Sequence, residues 1–168
     1  TVYAAGDATA GSTQLAHAAT SQGITAAENA LGSARHPAET LIPACIFTAP
    51  EVGSVGLCEQ TAKAEGRSVD VGKFMFGGLG KALAADEPRG FVKWICDPGT
   101  GQLLGAHAVG AHATELIAEA AAAIRSELTA EELGRTVHSH PTFSEAWMEA
   151  AHAVHGECIH AAPKRRKK

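Results

Sequence analysis

Phe91-Val92-Lys93-Trp94-Ile95-Cys96-Asp97-Pro98-Gly99-Thr100-Gly101-Gln102-Leu103-Leu104-Gly105-Ala106-His107-Ala108-Val109 is the stretch that decides the fold class. Residues 91–95 are aromatic, β-branched or long, and suit a pleated surface. Asp97-Pro98-Gly99-Thr100-Gly101 is a turn with a mechanism: the aspartate bonds to its own backbone, the proline fixes φ and the glycines accept positive φ. Residues 103–109 are apolar again and read as a returning strand, so the two runs predict an antiparallel hairpin. The next segment, 114–126, changes period. Leu116, Ile117, Ala120, Ala121 and Ile124 fall on one helical face, with Thr114, Glu115 and Glu119 near the start. An antiparallel hairpin followed by an amphipathic helix predicts an α+β domain, an antiparallel sheet flanked by helices.

Upstream of the hairpin, residues 45–48 and 52–57 read as short strands interrupted at Pro50. Residues 59–65 form a brief helix stopped by Gly66. Residues 69–76 alternate, with Val69, Val71, Phe74 and Phe76 apolar, and predict a strand with an irregularity near Gly72. Gly77-Gly78-Leu79-Gly80 is a loop and 81–85 a helical turn. Residues 33–41 are polar and contain Pro37, which marks a linker. The expected organisation is a piece of one domain at 1–36, a second domain at 37–162 and a basic tail at 163–168.

The first of these segments opens with a short β-capable run at 1–5 that ends at Gly6-Asp7. A small-residue loop follows, then a helix at 14–32 with Gly32 as its C-cap and His36-Pro37 as the break. Strand, turn and helix in this order present backbone N–H groups to a polar or anionic ligand. Gly-Asp alone fits a plain strand-to-helix turn equally well. The start lacks a charged n-region and an initiator methionine, so it reads as a strand entered partway and as a fragment of a longer chain.

Composition bounds the function. The chain has 168 residues, 45% of them apolar and only 5% aromatic, enough for a sizeable core packed through small side chains. A net charge of -4 argues against general nucleic-acid binding. Lys164-Arg165-Arg166-Lys167-Lys168 reads as a solvated tail, with a phosphate or membrane-surface contact as the sharper alternative. The four cysteines form no C-x-x-C pair and are expected as free thiols in a reducing, cytoplasmic compartment. No apolar run of about 20 residues exists, so no membrane span is expected.

The chemistry concentrates in His138-Ser139-His140-Pro141-Thr142-Phe143-Ser144-Glu145. It follows a short helix at 129–134, whose Thr129-Ala130-Glu131-Glu132 has a capping-box pattern, and precedes a last helix at 144–154. Imidazole exchanges protons near neutrality, and a nearby carboxylate can fix its tautomer. His140 and Glu145 are candidates for such a pair. Two other readings stay open. Thr142 and Glu145 also fit a capping box, and His-x-His could ligate a metal, although no further ligand cluster accompanies it. Capping and acid–base work are compatible.

Taken in order, four stretches resemble the flavin-dependent pyridine-nucleotide disulfide oxidoreductases, and among them the dihydrolipoamide dehydrogenases. They are Thr1-Val2-Tyr3-Ala4-Ala5-Gly6-Asp7 with Leu15-Ala16-His17; Ile42-Pro43 through Pro50-Glu51-Val52 to Leu57; Leu104-Gly105-Ala106-His107 with Ala113-Thr114-Glu115-Leu116-Ile117; and His138 to Glu145. The resemblance implies that Gly6 and Asp7 meet the ribityl chain of FAD and that backbone groups of Gln14, Leu15 and Ala16 face the flavin ring. It implies that His140 is the acid–base residue, Glu145 its partner and His140-Pro141 a cis bond. It further implies a homodimer in which His140 serves the other subunit's redox disulfide, with dihydrolipoamide as substrate and NAD as electron acceptor. The long run after Glu145 resembles these enzymes more than glutathione reductase, and the absence of paired cysteines near the end sets it apart from mercuric reductase. The family's Gly-x-Gly-x-x-Gly, its Cys-x4-Cys pair and its nicotinamide domain are not in this sequence. FAD and NAD are therefore expected in the parent protein and not stably on this chain. The alternative is a dimerisation module that keeps the fold without the chemistry.

Overall fold

The computed structural model describes residues 2–35 and 41–161. The His36-Pro37 break and the basic tail from Lys164 lie outside the described residues. The chain divides into two compact units, residues 1–42 and 43–168.

In the first unit, residues 2–5 are not a strand. Ala5 is extended, with φ −143° and ψ 155°, but a strand exists only where a neighbour takes up its N–H and C=O groups. A 3-10 turn, Gly6–Ala8, leads to helix α1, Ala16–Ala30, shorter by two residues at each end than the sequence predicts. Gly32 follows at φ 100°, the left-handed position that favours glycine after a helix. Gln22 of α1 organises the loop before it. Its Oε1 accepts the Gly6 N–H at 2.6 Å and its Nε2 donates to Ser12 Oγ at 3.1 Å.

The second unit is built on five antiparallel strands in the order β1-β2-β5-β4-β3. These are β1 (Ala44–Ile46), β2 (Val52–Gly56), β3 (Asp70–Met75), β4 (Gly90–Cys96) and β5 (Leu103–Gly110). Short helices α2 (Glu59–Ala64) and α3 (Gly80–Ala84) lie between β2 and β4 in sequence. Helices α4 (Ala113–Arg125), α5 (Ala130–Arg135) and α6 (Glu145–His155) complete the chain. The expected hairpin is β4–β5, the middle of the sheet, with Val92 opposite Ala108 and Trp94 opposite Ala106. Its turn is closed by Asp97, whose Oδ1 accepts the N–H groups of Gly99 and Thr100.

Strand alternation puts Phe74, Val92, Trp94, Ala106 and Ala108 on one buried face. Helix α4 packs over β2 and β5, and α6 over β3 and β4. Two tryptophans lock the layers. Their rings lie 4.5 Å apart; Trp94 Nε1 donates to the Trp147 carbonyl and Trp147 Nε1 to the Leu116 carbonyl, both at 3.0 Å. Sheet, α6 and α4 are thereby joined in one chain of buried hydrogen bonds. Glu51, just before β2, accepts the Thr114 N–H at 3.0 Å and its hydroxyl at 2.8 Å, satisfying the first turn of α4.

The expected irregularity near Gly72 is not there. Pairing of β3 with β4 runs unbroken through Gly72 and Trp94, and the register shift falls at Ile95/Cys96. Gly72 is glycine because α6 lies directly on it: an added Cβ would collide with the Ala150 carbonyl and come within 2.6 Å of Val154 Cγ2. Gly72→Ala is therefore expected to cost about 2–3 kcal/mol by overpacking, read as a lower urea midpoint with little change in slope.

Among the described residues no helix is long and apolar enough to cross a membrane.

Candidate active site

The segment between α5 and α6 is held by what its side chains touch. The His140–Pro141 peptide bond is cis. Phe143 is buried, with its ring against Phe76 at 5.3 Å and His112 at 5.0 Å. Thr142 Oγ1 donates to the Ser139 carbonyl at 2.6 Å. These contacts set the entry to α6, whose first residue is Glu145.

Glu145 is 8% exposed. Its Oε2 accepts the Thr142 N–H at 2.8 Å, and its Oε1 lies 2.9 Å from His140 Nδ1. The sequence left the cap and the His–Glu pair as open readings, and the geometry contains half of one and all of the other. The carboxylate reaches back to the Thr142 N–H, but the Thr142 hydroxyl turns to Ser139 and Ser144, so the reciprocal capping box does not close. A complete box forms instead at Thr129 and Glu132, where the sequence pattern also predicts one.

A carboxylate accepts, so Nδ1 of His140 donates and Nε2 keeps its lone pair. The imidazole is 73% exposed while the carboxylate behind it is 11% exposed. Burial pushes the Glu145 carboxyl up, but the Thr142 N–H, the His140 imidazole and the nearby His160 together hold it below the usual glutamate range. The arrangement can therefore take a proton at an exposed nitrogen and stabilise the resulting cation from behind.

That depression has a sign for stability. A folded-state pKa below the unfolded one contributes stability that is complete above the unfolded pKa and is lost as pH falls through the folded one. Glu145→Gln is thus expected to flatten the acid limb of stability against pH, measured as urea midpoints through the carboxylate range. An unchanged acid limb would remove the ion pair from the account.

His138 has a different environment. Its Nε2 lies 2.6 Å from Glu119 Oε1 on α4 and its Nδ1 donates to the Thr136 carbonyl at 2.9 Å. The hydrogen bond to Glu119 raises its pKa despite burial. Both nitrogens are engaged and only 5% of the side chain is exposed, so His138 ties the loop to α4 and has no free nitrogen to work with. Glu119 was near the helix start in the sequence, with nothing in its spacing to pair it with His138.

The other candidates lie in the first unit. Gly6 is buried at φ 71°, Asp7 is exposed within the 3-10 turn, and Gln14 is exposed in the loop before α1. Leu15 is the N-cap and Ala16 the first residue of α1, which opens without a side-chain cap. Among the described residues, Thr9 Oγ1 is buried without a hydrogen-bond partner. An uncapped helix start and an unused hydroxyl fit a polar or negatively charged ligand edge. All four cysteines are free thiols, with Cys96 pushed up to about 12 by burial. Among the described residues no cluster of ligating side chains could hold a metal.

Residues 42–151 match the family described as pyridine nucleotide-disulphide oxidoreductase, dimerisation domain. The chain belongs to this family. It is 48% identical over 160 residues to a dihydrolipoyl dehydrogenase of Bacillus subtilis, covering 95% of this chain and 34% of that protein. A dihydrolipoyl dehydrogenase of Chlamydia muridarum is 44% identical over 165 residues, covering 98% and 35%. The crystal structure of LpdA from Mycobacterium tuberculosis superposes with a TM-score of 0.83 at 33% identity, over 89% of this chain and 32% of that one. The chain thus spans about a third of the length of the curated relatives it matches. The antiparallel sheet with its helices is the fold of this dimerisation domain.

Proposed function

We propose that this chain supplies the dimerisation domain and the acid–base pair of a flavin-dependent disulfide oxidoreductase that oxidises dihydrolipoamide with NAD⁺. The observation that carries the reading is an exposed imidazole whose Nδ1 rests on a buried carboxylate, His140 on Glu145 at 2.9 Å. The family membership and the dihydrolipoyl dehydrogenase relatives support the substrate class.

In this mechanism the partner in a homodimer carries the redox disulfide. His140 Nε2 accepts the proton of one substrate thiol while Glu145 stabilises the imidazolium. The thiolate attacks one sulfur of the disulfide; a mixed disulfide forms and the displaced cysteine leaves as thiolate. The second substrate thiol attacks the mixed disulfide, closing the lipoamide ring. Its proton passes to a cysteine sulfur, and the cysteine pair is left reduced. FAD, when bound, supplies the route by which that electron pair reaches NAD⁺ as hydride. On the flavin side Asp7 would accept from the ribityl chain, the tight turn at Gly6 would let the backbone approach, and Gln14, Leu15 and Ala16 would turn backbone groups toward the ring. The sequence contains only this portion of an FAD site, so stable FAD binding belongs to the longer protein.

The test is an absorbance scan and a turnover assay. The full-length protein should carry flavin and form NADH from NAD⁺ and dihydrolipoamide, whereas this chain should carry none. A full-length protein without flavin would sink the proposal.

A further inference from the structure

The acid–base loop carries an aromatic ring that has no part in that mechanism. Phe143 stands between His140 and Glu145 and is 6% exposed. Its ring meets Phe76 edge-on at 5.3 Å and tilts against His112 at 5.0 Å. Phe76 opens a 3-10 turn, Phe76–Gly78, directly after β3, and is fully buried. Against its ring lie Gly90 and Gly110, which face each other across the β4–β5 pair. A Cβ added to Gly90 would come within 2.7 Å of Phe76 Cδ2, and one added to Gly110 within 2.8 Å of Phe76 Cε2. Both glycines are at positive φ, 139° and 129°. The end of the hairpin is thus open to one ring, and that ring carries Phe143.

His112 completes the seat. It follows Gly110 by two positions, so one short segment supplies the glycine against Phe76 and the flank of Phe143. It holds a left-handed backbone, φ 60°, at the N-cap of α4, a conformation uncommon outside glycine that persists where the surroundings fix it. The loop's own bonds are more local. Thr142 Oγ1 bonds to Ser139 and Ser144, within the same turn. The His140 imidazole is 73% exposed and takes its orientation from Glu145. Glu145 follows Phe143 by two positions, and the Phe143 carbonyl accepts the Ala146 N–H at 3.1 Å at the start of α6. His138 anchors the loop on one side of His140, through Glu119, and Phe143 anchors it on the other. A shift of Phe143 in its seat therefore moves both members of the pair.

We infer that Phe143 is a positioning residue for the acid–base pair, and that Phe76 and His112, set against the Gly90–Gly110 gap, form the seat that fixes it. The seat holds the loop and the start of α6 in the arrangement that brings His140 Nδ1 to the Glu145 carboxylate and leaves Nε2 free. This rests on the reading of His140 and Glu145 as the working pair. Phe143 has no proton to exchange, so its effect on the reaction is one of geometry alone. A displacement of about 1 Å is enough to cost on the order of 10²-fold in rate.

The test reads the tautomer of His140. In this chain, labelled with heavy nitrogen and held at alkaline pH where the imidazole is neutral, NMR should show a protonated Nδ1 and a bare Nε2 on His140. Phe143→Ala empties the seat and leaves both side chains of the pair in place. Its two His140 nitrogen signals should move toward each other, the sign of mixed tautomers. Phe143→Leu refills the seat with an apolar side chain and should keep most of the parent pattern. In the full-length protein Phe143→Ala should slow reduction by dihydrolipoamide roughly 10- to 100-fold with flavin content unchanged, and Phe143→Leu should recover most of that loss. Amide protection of the β4–β5 hairpin checks that each variant is folded. If Phe143→Ala is not, Phe76→Leu, which loosens the seat from outside the loop, takes its place with the same expected shift. An unmoved His140 pattern or an unchanged rate in the folded variant, or a leucine variant at 143 as disturbed as the alanine one, would overturn the inference. The proposed function fails separately, if His140→Gln leaves dithiol oxidation intact.

Discussion

Replacing His140 by glutamine in the full-length protein is expected to slow reduction by dihydrolipoamide roughly 10²- to 10⁴-fold, the usual worth of a positioned acid–base group. Glutamine can still donate an N–H to Glu145, so the loop and the start of α6 keep their hydrogen bond. What it cannot do is take a proton at neutral pH. The substrate must then lose its proton to water, and only the small thiolate fraction present at that pH reacts. On the proposed assignment flavin content should be unchanged, because the flavin contacts proposed for Gly6, Asp7 and the start of α1 fall in the other compact unit. Rapid-mixing reduction by dihydrolipoamide and the bound-flavin spectrum separate the two effects. Equal loss of both would count against proton transfer. His138→Gln should behave differently. With both nitrogens engaged by Glu119 and Thr136, its loss loosens the loop against α4 and lowers stability more than it changes any proton-transfer step.

Trp147→Ala is expected to have the largest effect on folding, about 3–5 kcal/mol. The ring is fully buried against Trp94 at 4.5 Å, and its Nε1 donates to the Leu116 carbonyl. Truncation opens a cavity between α6, α4 and β4 and removes a buried hydrogen bond to that carbonyl, which keeps its place in the α4 ladder. Urea unfolding should show a lower midpoint with a slope near that of the parent sequence. Trp147→Phe keeps most of the apolar area and loses only the N–H, so it should fall well short of the alanine variant. A Phe variant as damaged as the Ala variant would mean that the hydrogen bond, and not the ring, carries the packing. Because Glu145 is two residues earlier on the same helix, either variant also loosens the support of the acid–base pair.

What could be read from the sequence follows how local each cause is. The β4–β5 hairpin was legible because its turn residues and apolar strands are adjacent, and α4 because its apolar face repeats within thirteen residues. Gly72 was misread for a physical reason. A glycine in a strand marks either a bulge or a close approach, and only the position of α6 distinguishes them. Residues 2–5 have strand composition, but strand identity is conferred by a ladder partner, which composition does not contain. The closeness of His140 and Glu145 was visible because they stand five positions apart. Glu119 with His138 and Glu149 with His160 join through folded elements across 19 and 11 positions, distances at which spacing carries no signal. Phe143 was visible only as an apolar residue inside a polar loop. Its neighbours Phe76 and His112 come from opposite sides of the β4–β5 hairpin in sequence.

The central claim is that His140 of one subunit works on the redox disulfide of the other. It is tested most directly with mixed dimers of the full-length protein. One subunit carries His140→Gln and keeps its disulfide; the other keeps His140 and has one redox cysteine replaced by serine. Each variant alone should oxidise dihydrolipoamide at a small fraction of the parent rate. Mixed, they should recover up to one working site per mixed dimer, because the surviving imidazole then faces the surviving disulfide. Mixed dimers as inactive as the two homodimers would contradict the account.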